Sequence, residues 1–312
     1  MKIKLDRKKL CLVASDNRTQ ELLLILPMFI GFILFVVYPI IWVLRWAPFR
    51  YDGYSTPEFI GLANFIRAFT RDKVFWFSLG NTFLLAFSKL IIEMPLALVL
   101  AVLVNNKVKG SSFFRIVFFL PTVFSVAVVG LVFNIIFSAY NGIINGLLVH
   151  FEMVAEHVNW FGDRWLAMLV ILLVSVWTTF GLIMIYFLMG LQNIPKELYE
   201  SADIDGASSF KQFIFITIPM LAPVMQVVIM LSVLGTMKIT DLILVMTNGQ
   251  PGGGTEVVMT YIFKYFFSYG DTDAGTVSQF GYASSLAVLT AIFLSILTIG
   301  YLKMSKKMKS IY

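Results

Sequence analysis

Few residues in this 312-residue chain could do chemistry, and their spacing restricts what that chemistry is. Two histidines, His150 and His157, and one cysteine, Cys11, can build neither a His/Cys metal site nor an internal disulfide. The glycine run Gly252-Gly253-Gly254 is followed by Thr255-Glu256, not by the Lys-Ser/Thr of a phosphate-cradling loop. No Ser/His/Asp set or catalytic carboxylate pair stands out, so the chain reads as a non-enzyme with no catalytic residue, metal or cofactor of its own. Two charged residues, Lys89 and Glu93, sit inside a long apolar stretch, spaced i,i+4 so that they can pair on one helical face. Alone in hydrocarbon each would cost at least about 2.5 to 3.5 kcal/mol. They read as a self-neutralised structural pair, or else as a polar contact in a solute path or with a partner subunit. A proton-driven pump would need a chain of such groups, which is missing.

The elements that must position these residues are apolar helices. Hydrophobic residues make up 59% of the chain and charged ones 13%, where a soluble domain carries about 25% charged residues. With a mean hydropathy of +0.85, much of this surface must face lipid. Six stretches are long enough to span a bilayer, at 22–44, 75–104, 113–137, 165–191, 213–237 and 282–302. The sequence therefore predicts an all-α polytopic membrane protein. Its tails are 1–21 and 303–312, its outer loops 45–74, 138–164 and 238–281, and a cytoplasmic loop occupies 192–212. With the termini in the cytoplasm, 15 of the 24 basic residues lie inside and eight outside, a density about threefold higher inside. The net charge of +6 thus sets orientation and is no argument for nucleic acid.

The cytoplasmic loop reads as a helix, a turn and a second helix. Pro195 suits the first turn, Glu197 lies near the positive end of the helix dipole, and Gly206 supplies a left-handed stop. Ser201 and Ala202 allow close approach, while Glu197, Glu200, Asp203 and Asp205 give an acidic face suited to a basic protein partner.

The spacing Glu200-Ser201-Ala202, three residues, Gly206, nine residues, Ile216-Thr217-Ile218-Pro219 resembles the EAA motif of ABC importer permeases, departing in Ser201 and Ile218. Further segments resemble the carbohydrate-uptake branch, the maltose-type and glycerol-phosphate-type permeases: Asn81-Thr82, Phe119-Leu120-Pro121, Asn141-Gly142-Ile143-Ile144-Asn145, and 246–255, where Gln250 stands in place of a usual glycine. The resemblance implies a type I ABC importer transmembrane subunit with six transmembrane helices and cytoplasmic termini, resident in a bacterial or archaeal cytoplasmic membrane. It implies a second homologous permease subunit, a cytoplasmic ABC ATPase dimer that carries the ATP and Mg, an extracytoplasmic solute-binding protein and a sugar substrate. Within the motif, Glu200 would meet a basic residue of the ATPase. Thr247, Gly249, Gln250, Pro251, Gly253 and Thr255 would face the binding protein, on a loop whose glycines suit rearrangement.

Sugars are held by aromatic faces and neutral hydrogen-bonding groups. Ser175, Thr179 and Tyr186 share one helical face of the fourth span, Trp177 and Gly181 an adjacent stripe, and Ser232 and Thr236 pair around Gly235 on the fifth. Counting from the motif, the resemblance places Trp177, Thr179, Ser232, Gly235 and Thr236 in the substrate path, with Tyr186 added by its shared face. Arg45, Arg50, Arg67, Arg71 and Lys73 near the outer mouth would suit an acidic saccharide, or simply lipid headgroups.

Overall fold

The computed structural model describes residues 21–105, 110–268 and 278–309, with side chains to 305. The basic residues Lys2, Lys4, Arg7, Lys8, Lys9, Arg18, Lys107 and Lys109, on which much of the expected charge asymmetry rests, lie outside the described residues.

An apolar helix α1 (Glu21–Trp46) leads through a short hairpin, β1 (Phe49–Arg50) and β2 (Glu58–Phe59), to α2 (Ala63–Thr70) and the long α3 (Lys73–Asn105). Next come α4 (Ser111–Phe119), α5 (Val126–Ile136), α6 (Ile143–His150) and α7 (Arg164–Gln192). A short polar helix α8 (Lys196–Ile204) precedes α9 (Ser209–Met237), then α10 (Asp241–Met246), α11 (Val258–Phe267) and α12 (Phe280–Lys309). Among the described residues five helices are long and apolar enough to cross a bilayer: α1, α3, α7, α9 and α12.

The remaining expected span, 113–137, is not one rod. Its two pieces, Ser111–Val123 and Val126–Ile136, meet at 96°. Pro121 sits in the 3-10 turn Leu120–Val123, where it cannot donate a backbone hydrogen bond, and Phe124 and Ser125 are extended. Thr122 anchors the bend by donating to the Thr178 carbonyl of α7 at 2.9 Å. Proline marks two milder irregularities as well. Wide π-turns at Ile33–Val37 and Phe213–Thr217 lie just before Pro39 and Pro219, where the ring disrupts the regular ladder.

The core forms where α3 lies along α7, with α9 packed against both. Small residues permit the crossings. A Cβ at Gly181 would overlap the Phe118 carbonyl, and one at Gly190 would press on Leu221 and Val224. One cluster (Ile171, Val174, Phe180, Ile243) fills the centre, and a second (Ala101, Met184, Phe187, Leu221) lies toward α8. A third, around Phe75, Tyr261, Tyr265 and Leu286, joins α3 to α11 and α12. By contrast, no residue in the apolar window of α1 is buried, so lipid or a partner must cover it.

Candidate coupling and translocation sites

Helix α8 begins at Pro195, whose extended backbone forms the N-cap, and ends at Gly206 with φ +73°. Ala207 N–H donates to the Ala202 carbonyl at 2.9 Å, closing the left-handed stop that the sequence suggests. Ser208 then caps α9, its hydroxyl accepting from Lys211 N–H at 3.5 Å. Two side-chain bonds fix the pair of helices. Gln212 Nε2 donates to Asp203 Oδ1 at 2.5 Å, and the Tyr199 and Thr217 hydroxyls lie 2.8 Å apart. Glu197, Glu200, Ser201 and Asp205 stay exposed while Ala202 is half-buried, so Asp203 is the one acidic residue of the set engaged within the loop. Sequence reasoning missed the apolar part of this face: Ile204 is 87% exposed and Phe210 70%. Ile204 lies between two aspartates, a placement that invites burial against a partner.

Within the spans, the charge pair and two of the expected path residues, Thr179 and Ser232, form one cluster. Glu93 is fully buried, and Lys89 Nζ approaches its Oε1 at 3.8 Å. Ser232 of α9 donates to Glu93 Oε2 at 2.5 Å, and Thr179 of α7 donates to Oε1. Three helices thereby share one carboxylate. The Thr179 hydroxyl also reaches the Ser175 carbonyl, and the Thr236 hydroxyl bonds the Ser232 carbonyl at 2.8 Å. These hydroxyls face the interior of the subunit. Trp177 and Gly235 instead lie on its surface: Trp177 is 37% exposed and edge-on to Phe133, and nothing stands within 4 Å of a Cβ at Gly235. Tyr186 belongs to neither group. It packs nearer α8, in the cluster that includes Tyr199 and Ile216.

At the opposite end, segment 247–256 is pinned rather than free. Lys264 pairs with Glu256 at 2.5 Å, both about 95% buried, and donates to the Asn248 carbonyl at 2.8 Å. Asn81 of α3 donates to the Gly254 and Glu256 carbonyls at 3.0 and 2.8 Å. Arg164 completes the link, donating to Asn81 Oδ1 at 2.8 Å and to the Gly254 carbonyl at 3.2 Å. The Thr247 and Thr255 hydroxyls lie 2.8 Å apart, and Thr255 is wholly buried. Gly249, at φ +84°, is required by close approach, since a Cβ would strike the Glu256 carboxylate. Gln250 and Gly252 remain exposed, with Pro251 and Gly253 half-buried beside them. Nearby, Asp72 caps α3 through Phe75 N–H and accepts from the Tyr261 and Tyr282 hydroxyls. Burial, then Tyr265 and Asp72, pushes the Tyr261 phenol well up, so it stays a donor. Among the described residues no cluster of three His, Cys, Asp or Glu could hold a metal.

This arrangement has clear relatives. The family described as "Binding-protein-dependent transport system inner membrane component" matches residues 93–310. A probable ABC transporter permease protein YurN of Bacillus subtilis is 32% identical over 94% of this chain and 98% of its own length. The trehalose/maltose transport system permease protein MalF of Thermococcus litoralis is 32% identical over 91% of this chain and 92% of its own. The lactose transport system permease protein LacF of Rhizobium radiobacter is 32% identical over 85% and 86%. Among solved structures, a chain of a bacterial ABC transporter involved in the import of the acidic polysaccharide alginate superposes with a TM-score of 0.79. It covers 95% of this chain and 98% of that one at 21% identity, a likeness of fold. With the exposed acidic helix–turn–helix, the multi-span bundle and the family match together, the chain belongs to the inner-membrane permease subunits of binding-protein-dependent ABC transporters.

Proposed function

We propose that this chain forms half of the translocation path for a sugar or oligosaccharide, beside a second homologous permease subunit. A cytoplasmic ATPase dimer supplies ATP and Mg chemistry, and an extracytoplasmic binding protein delivers the solute. The sugar assignment draws on relatives named for trehalose/maltose, lactose and arabinooligosaccharides. The observation that carries the mechanism is the bracing of α8: Gln212–Asp203 and Tyr199–Thr217 join the docking helix to α9, while its acidic and apolar residues face out. Closure of the ATPases on ATP would pull α8, and the braced α9 would follow as a rigid body, alternating access to the path. Trp177 and Gly235 face the solute; Thr179, Ser232 and Thr236 shape the wall behind them.

The test is ATPase activity of the reconstituted complex with binding protein, across a panel of neutral and acidic oligosaccharides. The reading predicts stimulation by a narrow set of saccharides. An intact complex that responds to amino acids or inorganic ions and to no saccharide would overturn the sugar assignment.

A further inference from the structure

The hairpin β1–β2, helix α2 and the start of α12 enclose an open cleft of about 670 Å³, lined among others by Arg50, Tyr51, Asn64, Arg67, Arg71 and Tyr282. Arg67 in the last turn of α2 and Arg71 at its C-cap stand four residues apart and concentrate positive charge at one side of the cleft. Among the described residues neither is ion-paired. Among the described residues Arg67 meets neutral groups: its guanidinium lies 3.9 Å from the Tyr282 ring centroid and donates to Gln279 Oε1 at 2.9 Å. Among the described residues the nearby carboxylates have other hydrogen-bond partners, and one of them, Asp52, lines the cleft itself. Glu58 pairs with Arg50 at 2.8 Å, and Asp72 takes two tyrosine hydroxyls. Asp52 accepts from Ser55 N–H, Tyr54 N–H and the Ser55 hydroxyl, bonds that hold its carboxyl down at about 2.

The position of the cleft decides between a passing solute and a docked protein. Its elements pack on α12 and α3, whereas the path residues lie on α7 and α9. A solute moving along α7 and α9 would bypass it. Stacking on Tyr282 and the bond to Gln279 also hold the Arg67 guanidinium in place, so little entropy is lost when a carboxylate arrives.

We infer that this cleft is a socket for an acidic segment of the extracytoplasmic binding protein, whose carboxylate seats between Arg67 and Arg71. The inference rests on the importer reading above. Such a contact steers the encounter and fixes its register, so it governs association rate and salt dependence more than the chemistry of transport.

The test uses the full transporter complex in nanodiscs with a binding protein that stimulates the wild-type ATPase. Arg71→Glu is expected to weaken binding-protein affinity about tenfold or more and to flatten its salt dependence, with Arg71→Lys much milder. Arg45→Glu makes the same charge change outside the cleft and is expected to keep wild-type affinity. Wild-type affinity in Arg71→Glu, or equal losses in both glutamate variants, overturns the socket. Binding of free oligogalacturonate to the complex alone, lost in Arg71→Glu while binding-protein affinity stays unchanged, would assign the cleft to solute and also overturn it. If no binding protein stimulates the wild-type complex, the importer reading fails first and the socket falls with it.

Discussion

Ser232 donates a 2.5 Å hydrogen bond to the buried carboxylate of Glu93, 139 positions earlier in the chain. With Thr179 on the other oxygen and Lys89 one turn away, the bond ties α3, α7 and α9 together inside the apolar bundle. The cost of burying that carboxyl group is offset by the three polar partners that surround it. Thr179 and Ser232, two residues expected along the path, thus bond the fully buried member of the Lys89–Glu93 pair.

Removing one partner should therefore cost more than removing both. Lys89→Met leaves Glu93 less compensated and is expected to destabilise the subunit by about 3 to 5 kcal/mol, with Glu93→Gln/Lys89→Met recovering a large part. Thermal unfolding of the purified complex checks the cycle. Strict additivity of the two single losses would contradict a shared cluster.

Two glycines on neighbouring helices should respond oppositely. Gly181→Leu forces α4 off α7 and is expected to cost more than about 3 kcal/mol, seen as loss of folded yield. Gly235→Trp meets open space, so the folded yield and unfolding midpoint should hold while solute uptake falls sharply. Uptake at the wild-type rate in Gly235→Trp would remove Gly235 from the path.

Arg164 joins α7 to segment 247–256 through Asn81 and Gly254. Arg164→Met strands Asn81 Oδ1 and is expected to cost about 1 to 3 kcal/mol locally. Hydrogen exchange should then accelerate across 247–256 and remain unchanged in α8. A uniform increase along the whole chain would indicate global rather than local loosening.

How much of this was legible in the sequence varies with the range of the interaction. The apolar runs of α3, α7 and α9, and the stop at Gly206, are local patterns of composition and turn chemistry and could be read directly. The 96° break after Pro121 was not, because proline is common in spans and only the Thr122–Thr178 contact reveals where the chain turns. The inward aim of Thr179 and Ser232 was hidden for a similar reason: helical spacing puts them on a face without saying that Glu93 waits opposite. Arg164 looked like one more loop charge until its partners, 83 and 90 positions away, were in view. The close approach of the Glu256 carboxylate to Gly249 was likewise out of reach, because it depends on a fold-back of the segment that spacing does not show.

The central claim is that α8 couples an ATPase to the spans through its exposed acidic and apolar face. The most direct measurement compares ATPase binding and binding-protein-stimulated hydrolysis in reconstituted wild-type, Glu200→Lys and Ile204→Asp complexes. Both residues are exposed, so insertion and folded yield should stay at wild-type levels. The account predicts that Glu200→Lys abolishes stimulated hydrolysis and that Ile204→Asp weakens ATPase binding about tenfold or more. Stimulated hydrolysis at the wild-type rate in both variants would contradict it.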